Sequence, residues 1–474
     1  MKINNYDDDK IKKIFDQKLQ DDFTKLSKQL NIIFKNSDDI IKKKIEDDLK
    51  IKTRYRKLSF YDALCYYFNY SFNHNTKNNI VSDYNFDNDI DVHMSNYQKK
   101  EAKIPLSFYQ LIFDDVKKLH DQYIDNKKRT IAVDGTYNIT NVKNDGSLET
   151  SLNLGIYDIT NRIPIDIQLK GEENKNKEIE SFIQYINKNN IDKDNIIFVF
   201  DRAYFSYDFI NYLDKKNINY VIRTKNNSLY LDKNKNNKKT NVKKLNDSNI
   251  RFITYDEKCI ISKKDKNNND VKLEKTIECN IVTNLSLKNN NDTDIKKIYS
   301  SRWCIEVFFK LIKSNFKFSY LKEHTSKTLI QYKKSYLIIM IEIYIIRLIE
   351  LIYNKNNDEL NNHKFNKKNK NKYIVKNNDS LMINGIKKII NPIIKSNING
   401  NLLFNYSINY IKKINVQIGI YNERKCKNPH CKWYIKSYAE YYKYIKIIDA
   451  LLNDKVDSLN KNLKLLASEI KIIK

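Results

Sequence analysis

The sequence predicts a mixed α/β core set between helical segments, and three observations point to it. Residues 1 to about 125 carry apolar side chains at helical spacing, as in "LSKQLNIIF", "SFYDALCYYFNY" and "LSFYQLIFDDVKKLH". Between residues 129 and 223 the period changes, and Ile163, Ile165, Ile167 and Leu169 show the alternation of a strand. "NIIFVFDRAYF" then brings a continuous apolar run, the pattern of a strand covered on both faces.

The elements follow in order. "RTIAVDGTYNIT", "TSLNLGIYDIT" and "RIPIDIQLK" read as three strands, "NKEIESFIQYINKNN" as a helix, "NIIFVFDRAYF" as a strand, "SYDFINYLDKK" as a helix and "INYVIRTK" as a strand. Three strands, helix, strand, helix, strand describes a mixed α/β domain. From about 225 to 295 the chain is rich in Lys and Asn, with strand-like pieces at "RFITYDE", "KCIISKK" and "TIECNIVTNL", which predicts a β-rich insertion. "YSSRWCIEVFFKLIK" reads as one helix. The apolar run from Tyr336 to Tyr353 is interrupted by Glu342, Arg347 and Glu350, which favours a buried core helix over a membrane span. Residues 354 to 373 are low in complexity and read as a flexible connector, after which helical spacing returns. The expected organisation is a helical N-terminal domain over 1–125, a first part of the core over 126–224 and the insertion over 225–295. A second part of the core with the Glu306 helix spans 296–353, and a connector with a helical C-terminal region spans 354–474.

The net charge of +28 suits a polyanionic partner, nucleic acid being the commonest. Heavy use of Lys, Asn and Ile with only 7 Gly and 4 Pro is also the bias of an A/T-rich coding sequence, so charge alone decides little. The N-terminus "MKINNYDDDKIKKIF" lacks the apolar core of a signal peptide, and six scattered cysteines read as reduced thiols. A soluble, intracellular protein with no membrane partner is expected, located wherever its DNA is.

The helix from Tyr299 to Lys313 is mostly large and apolar yet carries an acid among three bases. At about 100° per residue, Arg302, Glu306 and Lys313 fall at roughly 300°, 340° and 320° from Tyr299. All four side chains share one stripe, with Lys310 at its edge and apolar residues over most of the remaining circumference. A solvated salt-bridge stripe with Arg302 and Glu306 paired at i, i+4 is one reading, and a site is the other. Two more acids bear on the choice. Asp134 ends the strand "TIAVDGTY" and Asp201 ends "IIFVFDR", and ligands collect at the carboxyl ends of strands in open α/β sheets. Carboxylates converging on one point repel unless a cation shares them, and Mg²⁺ is the usual choice beside phosphates. Two such ions can activate a water or 3′-hydroxyl and stabilise the leaving oxygen of a phosphoryl displacement. Arg302 and Lys313 would then meet the phosphates. Thr136, Arg202, Tyr204 and Arg223 lie near the carboxyl ends of core strands and are expected to pack or support rather than react. Asp158, Asp166, Glu172 and Glu173 read as loop or solvent-facing acids. Cys426, His430 and Cys431 do not supply a standard zinc set, and their basic segment reads as lying along a DNA backbone.

The pattern Y-x2-R-x3-E-x6-K, here Tyr299, Arg302, Glu306 and Lys313, is the signature of DDE transposases of the IS4 type, which this chain resembles. "VDGT" with Asp134 resembles the first acidic motif of that family and "DRAYFS" with Asp201 the second, with Ala203 where Gly is common. The resemblance covers about residues 129 to 335. It implies an RNase H-like core with a β-rich insertion between Asp201 and Glu306, and a catalytic triad of Asp134, Asp201 and Glu306 holding two Mg²⁺ or Mn²⁺ ions. Tyr299, Arg302 and Lys313 would bind DNA phosphates. It further implies cut-and-paste transposition, with cleavage at terminal inverted repeats and strand transfer into target DNA by a homodimer in a synaptic complex. Some members use a hairpin stabilised by an aromatic residue of the insertion, for which Tyr230, Phe252 and Tyr255 are the residues available. The rival expectations are an inactive or domesticated DNA-binding descendant and an RNase H-like nuclease without strand transfer.

Overall fold

The computed structural model describes residues 6–49, 58–72, 77–89, 91–124, 128–142, 148–169, 178–189, 191–224, 241–245, 248–264, 270–315, 326–364 and 379–412. The chain opens with helices α1 (Tyr6–Phe34), α2 (Ser37–Leu49), α3 (Phe60–Phe72), α4 (Lys77–Asn88), α5 (Met94–Lys103) and α6 (Leu106–Asp121). Strands β1 (Arg129–Val142), β2 (Leu148–Asp158) and β3 (Ile163–Leu169) follow, then α7 (Glu178–Lys188), β4 (Ile196–Phe200), α8 (Tyr207–Lys215) and β5 (Asn219–Thr224). Next come β6 (Asn241–Leu245), β7 (Ser248–Lys264), β8 (Asp270–Thr283), α9 (Asp292–Ser301), α10 (Trp303–Asn315), α11 (Ser326–Lys364), α12 (Asp379–Ile394) and α13 (Gly400–Tyr406).

The eight strands form one sheet in the order β3-β2-β1-β4-β5-β8-β7-β6. β1 runs parallel to β4 and β4 to β5, while β2 and β3 return antiparallel on the other side. Helices cover both faces, and this is the RNase H-like arrangement the sequence resemblance implied. The strands of the insertion extend the same sheet, because β8 pairs antiparallel with β5. On one face α7 and α8 bury Ile131, Val133, Phe198 and Phe200, which explains why β4 is apolar throughout. On the other face, α9 packs on β4 and β5 through Ile295 and Tyr299. Beside it, Ile305, Phe308, Phe309 and Ile312 of α10 join a core that runs on through α11, α12 and the N-terminal helices.

Two contacts set where α10 sits. Gly155 lies opposite Asp134 in the β1–β2 ladder, and a Cβ there would stand 2.5 Å from Phe309 Cζ, so only glycine lets the helix come this close. Two residues along β2, Tyr157 stacks on the adjacent Phe308, ring centroids 4.9 Å apart. The frame beneath is held by buried charge. Arg162 occupies the β2–β3 turn at φ 58° and reaches Glu350 Oε1 at 2.9 Å and Asp379 Oδ1 at 2.5 Å. Arg347 of α11 bonds the same two acids at 2.6 and 2.9 Å and donates through Nε to the Arg162 carbonyl at 3.0 Å. Burial alone would raise the Asp379 carboxyl, but Arg347 and Arg162 hold it down at about 2. Two of the charges that interrupt the apolar run of α11 thus have structural partners, and no helix among the described residues is long and apolar enough to cross a membrane.

Three expectations are corrected here. A β-bulge in β3 pairs Tyr157 with Pro164 and Ile156 with Asp166, skipping Ile165. Ile165 therefore packs on the opposite face from Ile163 and Ile167, and Asp166 is turned inward, where burial raises its carboxyl. Asp158 is not a surface acid: it is fully buried and accepts from Arg129 Nη2 and Nε, both at 2.6 Å. Helix α11 continues through Lys364 into the stretch read as a connector, since no Gly or Pro stops a helix already anchored in the core.

Replacing Arg347 with Met is expected to destabilise the protein by about 3 kcal/mol, because it leaves two buried acids, Glu350 and Asp379, to share Arg162 as a single counter-charge. The urea midpoint of unfolding measures this, and an unchanged midpoint would show that the network contributes nothing.

Candidate active site

Parallel pairing lines up Val133 with Phe200 and Phe200 with Ile222. The next residues along, Asp134, Asp201 and Arg223, therefore stand in a row across β1, β4 and β5, with Asp201 and Arg223 at the carboxyl ends of β4 and β5; Asp134, expected to end its strand, instead lies within β1, which outruns its pairing with β4 and continues to Val142. Alternation puts them on the face of Ala132, Val199 and Val221, the face covered by α9 and α10. Each aspartate is aimed by local backbone. Asp134 Oδ1 accepts from the Gly135 amide at 2.9 Å. Asp201 caps the single 3-10 turn of residues 202–204, accepting from the Ala203 amide at 2.7 Å.

Glu306 reaches this row through Arg302. The guanidinium donates from Nη1 to Asp134 Oδ2 at 2.9 Å and from Nη2 to Glu306 Oε1 at 2.5 Å. The i, i+4 pair expected as one alternative is thus present, and it includes an acid of β1 168 positions away. Tyr299 is buried on α9, and its hydroxyl interacts with the guanidinium groups of Arg302 and Arg223. Lys313 lies one turn of α10 beyond Phe309 and donates to the Tyr137 carbonyl of β1 at 2.9 Å.

The expected single helix is in fact two. Asn291 opens α9 with a capping box, and Arg302 follows its last residue as the C-cap, in a tight turn where the Arg302 amide bonds the Tyr299 carbonyl and the Ile305 amide bonds the Arg302 carbonyl. These i→i−3 bonds wind the chain more tightly than an α-helix. The exposed face of α10 is also different from the one expected: Trp303, Val307 and Lys310 share it, with Lys310 Nζ 4.8 Å from the Trp303 ring centroid. Lys310 therefore faces away from the acids. Thr136 is buried in β1, Arg202 is exposed, and Tyr204 is fully buried beneath the Asp201 turn. Of the aromatic residues considered in the insertion, Phe252 is buried in the core and Tyr255 lies under Lys296, 4.8 Å from its ring. Tyr230, Cys426, His430 and Cys431 lie outside the described residues.

The electrostatics are those of a crowded carboxylate centre. Burial pushes the Asp134 carboxyl up to about 7; Arg302 pulls it down, while Asp201, Glu178 and Glu306 push it further up. Burial would weaken the Arg302 guanidinium, but Asp134, Tyr299 and Glu306 hold it protonated. Burial also lowers Lys313. Glu178 was not singled out from sequence. It opens α7, where an acid reads as an ordinary helix-start residue, and only the folded chain carries it to Asp134.

Carboxylates gathered around one buried acid suit a hard divalent cation. Among the described residues, however, no three acids, histidines or cysteines stand close enough to form a ready metal centre. Arg302 is the positive charge that Asp134 and Glu306 share, and a cation held by both would have to displace it.

An acid raised from 3.8 to about 7 keeps a proton in the folded state that the unfolded chain releases. Stability should therefore fall as pH rises from about 4 to about 7, by about 2–4 kcal/mol after allowing for partial exposure. Urea midpoints of chelator-treated protein between pH 5 and 8 should show this decline, and Asp134→Asn should flatten it.

No curated protein matches the chain. A family does: residues 150–338 match the family model described as the transposase DDE domain. The match holds Asp201, Tyr299, Arg302, Glu306 and Lys313, and β1 supplies Asp134 from just before it. By its fold and this match, the chain carries a transposase DDE domain.

Proposed function

We propose that this chain is a cut-and-paste DNA transposase of the IS4 type, which cleaves DNA at transposon ends and transfers the freed 3′ ends into target DNA. The observation that carries the reading is the Arg302 bridge, which joins Asp134 of β1 to Glu306 on α10 beside the row of Asp201 and Arg223. In this reading Asp134, Asp201 and Glu306 hold two divalent cations, Mg²⁺ or Mn²⁺. Those ions would supply an activated hydroxyl nucleophile and charge stabilisation for the leaving oxygen.

The chain's own residues do the rest. Glu306 is carried on a helix docked through Phe309 onto Gly155, so its distance from β1 is fixed by packing rather than by a loop. Arg302, released from the acids, has a planar fork suited to a phosphate, and Tyr299 and Arg223 border the space it would turn into. Lys313 is partly buried and held to β1 by one hydrogen bond, which leaves two ammonium protons for the DNA backbone. The N-terminal helices, residues 1–125, would recognise the terminal inverted repeats, and a homodimer would hold two ends in synapsis. The net charge of +28 favours such a DNA partner and makes binding fall with salt.

The test incubates the protein with its terminal repeat, target DNA and Mg²⁺ or Mn²⁺. Asp134→Asn, Asp201→Asn and Glu306→Gln are each expected to lower cleavage on the order of 10³-fold or more while leaving end binding in place. Cleavage at the wild-type rate by any of the three would refute the assignment of that acid. Cleavage without joining by the wild-type protein would favour a nuclease instead.

A further inference from the structure

The segment "RFITYDE" of the insertion has no place in the site as described, yet one face of it lies under α9. Arg251, Ile253 and Tyr255 alternate along β7, so all three point the same way. Ile253 joins the core that takes in Ile295 and Tyr299 of α9, and Lys296 Nζ stands 4.8 Å from the Tyr255 ring centroid. Arg251 meets the start of the helix. It is only 3% exposed, and its Nη1 donates to the Leu285 and Asn290 carbonyls, both at 2.8 Å, while Nη2 donates to Asp292 Oδ1 at 2.7 Å.

Those bonds span the connection from β8 to α9. At its near end Thr283 Oγ1 donates to the Tyr220 carbonyl at 2.6 Å, and Asn284 accepts from the Tyr220 amide at 3.1 Å and donates to the Ile218 carbonyl at 2.9 Å, so the chain leaves the sheet from a fixed point beside β5. From Ser286 to Asn289 the connection is exposed, and Arg251 ties down its far end. The apolar contacts of Ile295 and Tyr299 hold α9 on the sheet but have no direction along it. Hydrogen bonds to two carbonyls and a carboxylate do. An α-helix is a stiff rod, so a shift of α9 along its axis at Asp292 is passed on to Arg302. A buried guanidinium costs more than a methionine or leucine filling the same space, so its worth lies in where it points.

We propose that Arg251 is a positioning residue for the cleavage reaction: reaching out of the insertion, it sets the axial place of α9 and, through the turn at Arg302, the place of the Arg302 fork and Glu306 against Asp134. This rests on the transposase reading of those residues. The insertion then belongs to the frame of the site, because β7 is the floor on which α9 is laid. The pattern Arg251-x-Ile253-x-Tyr255 gives that floor a polar anchor, an apolar contact and a cation-bearing ring in turn.

Trp303 follows Arg302 and is exposed on α10, so its fluorescence reports the turn without reference to activity. The experiment uses the full chain with Trp433→Phe, which leaves Trp303 as its one tryptophan, at a temperature where far-UV dichroism shows every variant folded. It reads iodide quenching of Trp303 and the single-turnover cleavage rate at saturating terminal-repeat DNA and Mn²⁺. Arg251→Met is expected to change the quenching and to slow cleavage roughly tenfold to a hundredfold while leaving end binding in place. Arg251→Lys, which keeps the charge and loses the fork, should recover part of both. Quenching and cleavage both at parent values in Arg251→Met would overturn the proposal. Slowed cleavage with unchanged quenching would overturn it too, since the effect would not then pass through α9. No cleavage by the parent protein would mean that the transposase reading had failed, and the quenching would still decide whether Arg251 places the turn. Should Arg251→Met not fold, Asp292→Ala decides by the same two readouts: changes in both support the proposal, and parent values overturn it.

Discussion

One guanidinium holds the two halves of the catalytic domain together. Arg302 lies between an aspartate of β1 and a helical glutamate, so two carboxylates that would otherwise repel across a partly buried space are held by a common counter-charge. Everything that positions Glu306 is consistent with that bridge. The tight turn at Arg302 lets α9 and α10 sit on adjacent parts of the same sheet face, with Tyr299 packed over β4 and β5 and Phe309 over β2. Loss of the turn would leave the placement of Glu306 to the packing of α10 alone, through Phe309 on Gly155 and Phe308 on Tyr157.

The sheet contributes its geometry at two glycines. Gly155 admits Phe309 from one face and Gly135 admits Glu178 from the other, so the segment of β1 and β2 around Asp134 is thin on both sides. A sheet thinned in its interior lets side chains from the layers on its two faces approach β1, which a Val or Ile at either position would prevent. Beneath this lies an apolar layer that is continuous from the N-terminal helices through α10 to α12. Its interior charges are paired: Arg347 and Arg162 with Glu350 and Asp379, and Lys334 with Glu101 at 3.4 Å. Each such pair is a weak source of net stability but a strong penalty on misplacement, which suits a layer that must set the register of α10.

Much of the fold was legible because periodicity reports burial. The apolar run of β4, the helical spacing of α6 and the mixed order of strands and helices are all properties of consecutive residues, and they emerged as elements in the structure. What was misread has one common cause. The inward turn of Asp166 depends on a bulge, the burial of Asp158 on Arg129 arriving 29 positions away, and the exposure of Trp303 and Val307 on which neighbours are missing. A helical wheel reports angles, whereas burial is decided by what is placed against each angle.

The sequence by itself determined the α/β order, the strand-end place of Asp201 and the spacing of Glu306 and Lys313 along one helix. These rest on spacing along a single element, which 3.6-residue turns and two-residue pleats constrain strongly. Only the tertiary structure decided that Arg302 bridges two acids, that Arg223 joins their row, and that Glu178 enters through Gly135. Those facts depend on strand order and on which backbone lacks a Cβ opposite a neighbour. Neither is written in any local window of the chain, because both are set by the pairing of segments far apart in sequence.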